Sequence, residues 1–164
     1  MPESLKTGSG VGFSMGKTSI TKIEFGELTS HTGYHIRRSY STFIRMFALN
    51  GKHFNLKSQQ SSILILTREN PGITPATIAD NIEIERSLMA KLLTDLMKRE
   101  FIETRACSED GRQKGLFITP KGKKFLREVL EYFSQNLEVE LNCNLSRHEQ
   151  QTLIKLLRKI YENR

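Results

Sequence analysis

The sequence predicts a mainly α-helical protein with one small β-hairpin. Apolar residues recur at helical spacing through most of the chain, and only residues 101–118 alternate as strands do. Two Thr-Pro pairs supply the capping hydroxyl and first-turn proline with which helices begin. The chain has 164 residues, 37% of them hydrophobic, which suits the core of one domain. Its longest apolar run, residues 63–66, cannot span a bilayer and no secretory segment is evident, so we expect a cytoplasmic protein.

Residues 1–26 are rich in glycine, serine, threonine and lysine without a period, which predicts a flexible arm. Within the arm, residues 12–18 end like a phosphate-binding loop. That loop needs four residues between its glycines, and here there are three, with Val11 where the first glycine should stand. We therefore predict no nucleotide site, and no cofactor.

The first long helix is predicted over about residues 27–50, with Gly51 as the residue that follows its C-terminus. Its apolar residues recur every three or four positions. They are Ile36, Tyr40, Phe43, Ile44 and Phe47.

Residues 57–99 have the pattern of a helix-turn-helix. A short helix over about residues 57–68 ends at Asn-Pro-Gly, and Thr74 with Pro75 begins a second helix of about two turns. A stronger amphipathic helix follows over about residues 85–99. Two short helices, a tight connection and a longer helix are typical of this motif.

The hairpin follows directly, with strands predicted at residues 101–106 and 115–118 around a turn cluster at 108–112. Thr119 and Pro120 then begin a long helix with one apolar stripe. The stripe contains Phe125, Leu126, Val129, Leu130, Phe133, Leu137 and Leu141. A capping box at residues 146–149 begins the last helix, whose apolar residues are Leu153, Leu156, Leu157 and Ile160.

In order and spacing, these segments resemble the MarR family of bacterial winged helix-turn-helix regulators over about residues 33–163. The most specific similarity is the wing sequence Asp110-Gly111-Arg112 followed by the Thr-Pro-Lys-Gly helix start at 119–122. The resemblance implies a winged helix-turn-helix whose N- and C-terminal helices form a dimerisation lobe. We divide the chain into an arm (1–26), the first helix of that lobe (27–56), the DNA-binding domain (57–122) and the C-terminal dimerisation helices (123–164).

The predicted recognition helix presents short polar and basic side chains near its start, as a helix in the major groove requires. These are Arg86, Ser87, Ala90 and Lys91. We assign Arg86 to a bidentate guanine contact, Lys91 to phosphate or base, and Ser87 to either. The net charge of +7 is compatible with a polyanionic partner such as double-stranded DNA.

The predicted wing adds Arg112 and Lys114 to the DNA contacts, with Arg112 directed to the minor groove. By resemblance, Asp110 pairs with an arginine and so fixes the wing; Arg105 and Arg112 are the natural partners. The alternative is an ordinary Asp-Gly turn in which Asp110 supports only its own backbone.

The apolar stripes of the first, penultimate and last helices exceed what a small winged module needs to cover. We interpret them as a homodimer interface, and twofold symmetry would place two recognition helices on a palindromic operator. The resemblance further implies a repressor released by a small effector, often an aromatic acid or its coenzyme A thioester. The candidate effector residues are His35, Arg38, Ser39, Thr42 and Phe43.

Two alternatives stay open. One is a winged helix that binds a protein partner in place of an operator, and the other is a thiol-redox regulator acting through Cys107, which lies near Arg105. An enzyme is not expected, because the four histidines fall in no recognised catalytic motif. The two cysteines have no CxxC spacing, so no metal site is predicted either.

Overall fold

The computed structural model describes residues 23–106 and 114–162. In those residues the helices are α1 (Thr32–Gly51), α2 (Ser58–Glu69), α3 (Pro75–Asn81), α4 (Arg86–Lys98), α5 (Pro120–Gln135), α6 (Leu137–Leu141) and α7 (Arg147–Tyr161). The strands β1 (Ile102–Ala106) and β2 (Lys114–Ile118) pair antiparallel. The predicted fold class, mainly helical with one small hairpin after a helix-turn-helix, is confirmed. The predicted arm lies almost wholly outside the described residues.

The first helix differs from its prediction at both ends. A 3₁₀-helix (Gly26–Ser30) comes first, and His31 then has extended backbone before α1 begins. Gly51 is the last residue of α1, in ordinary helical conformation, and is not the residue after its end. The reason is spatial: a Cβ at Gly51 would lie 2.8 Å from the backbone oxygen of Leu56, so the glycine is required for a close approach.

One hydrophobic core joins the helix-turn-helix to α1, α5 and the sheet. The side chains that are least exposed come from α2, α3, α4, β2 and α5. They are Ile63, Leu64, Ile78, Met89, Leu96, Leu116, Leu126 and Val129. The core therefore fixes the orientation of α4 relative to α2 and α5.

Both Thr-Pro pairs begin helices as predicted. The Thr74 hydroxyl accepts a hydrogen bond from the Thr77 amide at 3.1 Å, and the Thr119 hydroxyl accepts one from the Gly122 amide at 3.0 Å. Thr119 also donates to the Glu100 carbonyl at 2.7 Å, which joins the start of α5 to the chain before β1.

The long helix predicted after Pro120 is interrupted. It ends at Gln135, and Asn136 has non-helical backbone before the short helix α6 begins. The side-chain amide of Asn136 donates a hydrogen bond to the Tyr132 carbonyl at 2.8 Å. A side-chain bond of this kind competes with continuation of the helix. Of the predicted stripe, Leu137 and Leu141 therefore lie in α6, where Leu137 is buried and Leu141 partly buried, and the other members lie in α5.

Helix α7 packs differently from the others. Its capping box is present: Ser146 accepts from the Glu149 amide at 3.3 Å, and Glu149 accepts from the Ser146 amide at 2.8 Å. The Ser146 hydroxyl also donates to the Glu149 carboxylate at 2.6 Å, and this bond together with the one from the Ser146 amide holds the pKa of the Glu149 carboxyl below its ordinary value. No residue of α7 is buried in the single chain.

Candidate nucleic-acid interface

Helix α4 lies on the surface with one face in the core. Its buried residues are Met89, Leu92, Leu93 and Leu96. The four residues predicted to contact DNA are all exposed. They are Arg86, Ser87, Ala90 and Lys91, and helical geometry places them together on the outer side of the first two turns.

The turn before α4 sets the direction in which this face points. Glu83 adopts a left-handed backbone conformation (φ 52°), which non-glycine residues rarely adopt, and the Ile84 amide then donates to the Ala79 carbonyl at 3.0 Å. Glu85 is the N-cap residue, and its carbonyl accepts from the Met89 amide at 2.9 Å. The chain therefore reverses within three residues, and Arg86 begins the helix.

The C-terminal half of α4 is anchored on the side away from its outer face. Gln60 donates to Asp95 at 2.8 Å, and Arg99 donates to the backbone oxygens of Asn55 and Phe54 at 2.8 and 2.9 Å. The Arg99 guanidinium also lies 3.6 Å from Asp95. The Asp95 carboxylate is thus hydrogen-bonded toward α2 and partly neutralised.

The outer face of α4 is longer than the sequence reasoning proposed. Ser87, Lys91, Thr94 and Lys98 are exposed and follow one another at intervals of four, three and four residues, which is one side of a helix. Thr94 and Lys98 were not predicted, because the predicted contacts were limited to the first two turns of the helix. The spacing itself is the signal that could have found them.

The hairpin lies next in the chain and supports the helix-turn-helix. Ile73, before α3, bridges to Leu116 of β2, so the strand is held against the motif on one side. At the outer end of the sheet, Ala106 pairs with Lys114, and Lys114 is exposed as predicted for a DNA contact. The predicted tip residues Asp110 and Arg112 lie outside the described residues, as does Cys107.

Arg105 contacts residues that the sequence reasoning did not propose. Its guanidinium donates to the Glu103 carboxylate, with the Nε bond at 2.9 Å, and lies 4.7 Å from the centre of the Phe117 ring. Asp110, its predicted partner, lies outside the described residues. Alternation along β1 places Glu103 and Arg105 on the same face, a signal that could have found this pair.

Two of the concave surfaces that border α1 contain predicted effector residues. The first, the central cleft, has a volume of about 640 Å³. Its walls come from α1, α2, the α3–α4 turn and α5–α6: Tyr40, Phe43, Phe47, Ser58, Gln59, Ser61, Ser62, Ile65, Ile82, Glu83, Ile84, Leu130, Phe133, Ser134, Leu137 and Glu138. The second, the arginine groove, is lined by Phe25, Leu28, Tyr34, Arg37, Arg38, Ser41, Thr42 and Arg45.

The five predicted effector residues do not line a common cavity. Phe43 lines the central cleft, while Arg38 and Thr42 line the arginine groove, and His35 and Ser39 line neither. The His35 ring Nε2 is 2.8 Å from the Thr29 carbonyl oxygen. The separation follows from the helix, because side chains one residue apart point about 100° away from each other.

Comparison with known proteins agrees with this architecture. Residues 54–113 match the model of the MarR family, a span that includes α2, α3, α4 and β1. A protein of Thauera aromatica named for a regulatory role at the hcr operon is 24% identical over 145 residues, which cover 88% of this chain and 87% of that protein.

The solved structure of the transcriptional repressor CouR bound to a 23-mer DNA duplex is 26% identical, has a TM-score of 0.80, and is matched over 85% of this chain and 99% of CouR. The helix-turn-helix segment, residues 54–113, is therefore similar to the MarR family, and the proteins that resemble the longer chain are named as transcriptional regulators. CouR bound to p-coumaroyl-CoA is matched over 85% of this chain and 97% of CouR, at 25% identity and a TM-score of 0.75. These similar proteins are named as regulators and not as enzymes, in agreement with the expectation that the chain is not an enzyme.

Neither a metal centre nor a membrane span is found in the parts of the chain that the structure describes. Residues 23–106 and 114–162 contain no group of three or more His, Cys, Asp or Glu side chains placed to hold a metal ion. Over the same residues no helix is both long and apolar enough to cross a membrane.

Proposed function

We propose that the chain binds a palindromic operator as a homodimer and represses transcription until a small effector releases it. The observation that supports this best is the outer face of α4. A surface helix held by the core presents Arg86, Ser87 and Lys91 to solvent beside an antiparallel hairpin. A helix of this kind fits the major groove, and a hairpin reaches the adjoining phosphates or minor groove.

Each side chain in the interface has a distinct proposed role. The guanidinium of Arg86 donates two hydrogen bonds to a guanine edge, Lys91 neutralises a phosphate or contacts a base, and Ser87 bonds to either. Ala90 lets the helix approach closely and can contact a thymine methyl group. On the wing, Lys114 and Arg112 contact the backbone and the minor groove, and Asp110 holds the tip.

The homodimer explains the apolar surface that the single chain leaves uncovered. On α7, the large exposed hydrophobic residues are Leu153, Ile154, Leu156, Leu157, Ile160 and Tyr161, and on α1 they include Ile36 and Tyr40. A patch of this kind marks an interaction site. If a second copy covers it across a twofold axis, the two α4 helices can lie in successive major grooves of a palindrome.

The effector would act through the central cleft. One wall of the cleft is the turn at Glu83 and Ile84 that directs α4, and the opposite wall belongs to α5 and α6. A small molecule bound there changes operator affinity only if it binds the two arrangements of α4 with different affinity. The CouR structure with p-coumaroyl-CoA supports a small-molecule effector in this fold.

The operator can be identified by selection from a random duplex library, followed by fluorescence anisotropy with the selected duplex. We expect Arg86→Ala to weaken duplex binding by about 1–3 kcal/mol and to relax the sequence preference at one base pair. Lys91→Ala should lower the slope of log affinity against log salt concentration by about one released counterion. Lys155→Ala, on the exposed side of α7, is the charge-matched control.

The proposal fails if no sequence is enriched, or if Arg86→Ala and Lys155→Ala change duplex affinity equally. Capture of a protein partner by a chain with no duplex preference would favour the protein-interaction alternative. Redox control through Cys107 would require that oxidation changes the operator affinity of the unmodified chain. The same oxidation should leave the operator affinity of the Cys107→Ser variant unchanged.

A further inference from the structure

The charges around the central cleft restrict what it can bind. Among the described residues that line it, two are charged and both are acidic: Glu83 in the α3–α4 turn and Glu138 in α6. No lysine or arginine from residues 23–106 or 114–162 lines it, whereas three arginines line the separate arginine groove. Among the described residues, neither Glu83 nor Glu138 forms an ion pair that would neutralise it within the protein. A carboxylate ligand would lose hydration in the cleft and gain no cationic partner.

The apolar walls of the cleft are partly aromatic. Phe43 and Phe47 have ring centres 5.8 Å apart, and Phe47 and Phe133 have ring centres 4.8 Å apart, both in edge-on arrangements. Phe47 and Phe133 are buried, so they supply apolar contact, whereas the ring of Phe43 is partly exposed. The face of an exposed aromatic ring attracts cations. Tyr40 adds a further ring at the rim.

We propose that the central cleft binds a lipophilic cation, an aromatic amine, in preference to an aromatic acid. Its ring would pack among Phe43, Phe47 and Phe133, and its ammonium group would be directed toward Glu83 and Glu138. The ligand preference stands independently of the proposed function, and only its effect on operator binding rests on that function. Because Glu83 lies in the turn three residues before the first residue of the recognition helix, an ammonium bound to it links occupancy of the cleft to the position of α4.

The test compares three ligands with the same ring and different charge: 2-(2-naphthyl)ethylamine, 2-(2-naphthyl)ethanol and 2-naphthylacetate. Affinity for the full-length chain is measured by isothermal titration calorimetry in the absence of DNA. We expect the amine to bind tightest and the carboxylate at least about tenfold more weakly, since it meets two like charges without a counterion.

The variant Glu83→Gln/Glu138→Gln should weaken binding of the amine by about threefold to tenfold and leave the affinity for the alcohol unchanged. The control Glu128→Gln/Glu131→Gln removes two carboxylates from exposed positions of α5 that do not line the cleft. It should leave the affinity for all three ligands unchanged.

Carboxylate affinity equal to or greater than amine affinity in the unmodified chain would overturn the proposal, whatever the variants do. So would amine binding that is indifferent to Glu83→Gln/Glu138→Gln. Operator binding is recorded separately by anisotropy. A chain that binds the amine as expected but selects no duplex would contradict the proposed function and leave the ligand assignment intact.

Discussion

Gly122 shows how a single residue can limit the approach of two elements. It is the third residue of α5, where alanine would be the better helix former by about 1 kcal/mol. However, a Cβ at this position would lie 2.1 Å from the backbone oxygen of Phe101 and 2.9 Å from Ile118. The backbone oxygen cannot rotate away, so the close approach of α5 to the start of β1 depends on the missing side chain.

We therefore predict that Gly122→Ala destabilises the fold by about 2–3 kcal/mol despite the gain in helix propensity. The matched control is Gly33→Ala in α1, where a Cβ would have no neighbour within 4 Å. That change should be neutral or stabilising by less than about 1 kcal/mol. Urea denaturation of both variants provides the comparison, and equal effects would show that the contact at Gly122 is not limiting.

At the scale of elements, the junction of α4, β1 and α5 is held by polar contacts on its exposed side. Glu100 has a left-handed backbone (φ 62°) between α4 and β1, and its carboxylate accepts a hydrogen bond from Lys121 of α5 at 2.6 Å. The hydrogen bond and the charge of Lys121 hold the pKa of the Glu100 carboxyl below its ordinary value. The pair thus joins the recognition helix to the helix that follows the wing.

This pKa gives a prediction with a definite sign. Because the folded-state pKa of Glu100 is lowered, the pair stabilises the fold above the unfolded-state pKa and stops doing so as the pH falls through the folded-state pKa. Lys121→Met should raise the Glu100 pKa and lower stability at pH 7, and the stability difference should vanish at pH 2.

Carbon-detected NMR titration of the Glu100 carboxyl measures the pKa, and urea denaturation at the two pH values measures the stability. Lys123→Met removes an equal charge from the next exposed lysine along α5 and should leave the Glu100 pKa where it was. A Glu100 pKa that is the same in both variants would show that Lys121 does not control it.

At the scale of the whole molecule, the apolar face of α7 stays exposed to solvent in the single chain, and that exposure is unfavourable in free energy. Leu156 is 53% exposed and Ile160 is 45% exposed, although the helix is capped at its start. Because these side chains are about half exposed, covering them yields about 1 kcal/mol each, and a twofold axis counts each residue twice. Association is therefore the arrangement expected of this surface.

Leu156→Lys should accordingly raise the dimer dissociation constant by at least about 100-fold, since two charges would be buried and two leucines lost. Sedimentation equilibrium measures the change, and operator affinity should fall with it. Gln151→Lys adds the same charge at another exposed position of α7 and should leave association intact. A Leu156→Lys variant that still associates would place the interface elsewhere.

What could be predicted from the sequence was local in origin. The caps at Thr74 and Thr119, the apolar face of α4 and the pairing of two alternating strands all depend on residues within a few positions of one another. The placement of Gly51 inside α1 was not predicted, because it depends on how the chain folds back at Leu56. The helix break at Asn136 and the separation of Phe43 from Arg38 into different cavities were missed although their causes are local: a side-chain bond to Tyr132 and the angle between positions on one helix.

The sequence by itself determined that this chain is a helix-turn-helix with a hairpin, because periodicity and capping act over one or two turns. The tertiary structure alone decided which elements pack against the apolar face of α4, and which charges surround the central cleft. Cavities and close approaches are made by residues far apart in the chain, whose distances are set only when the whole core has packed.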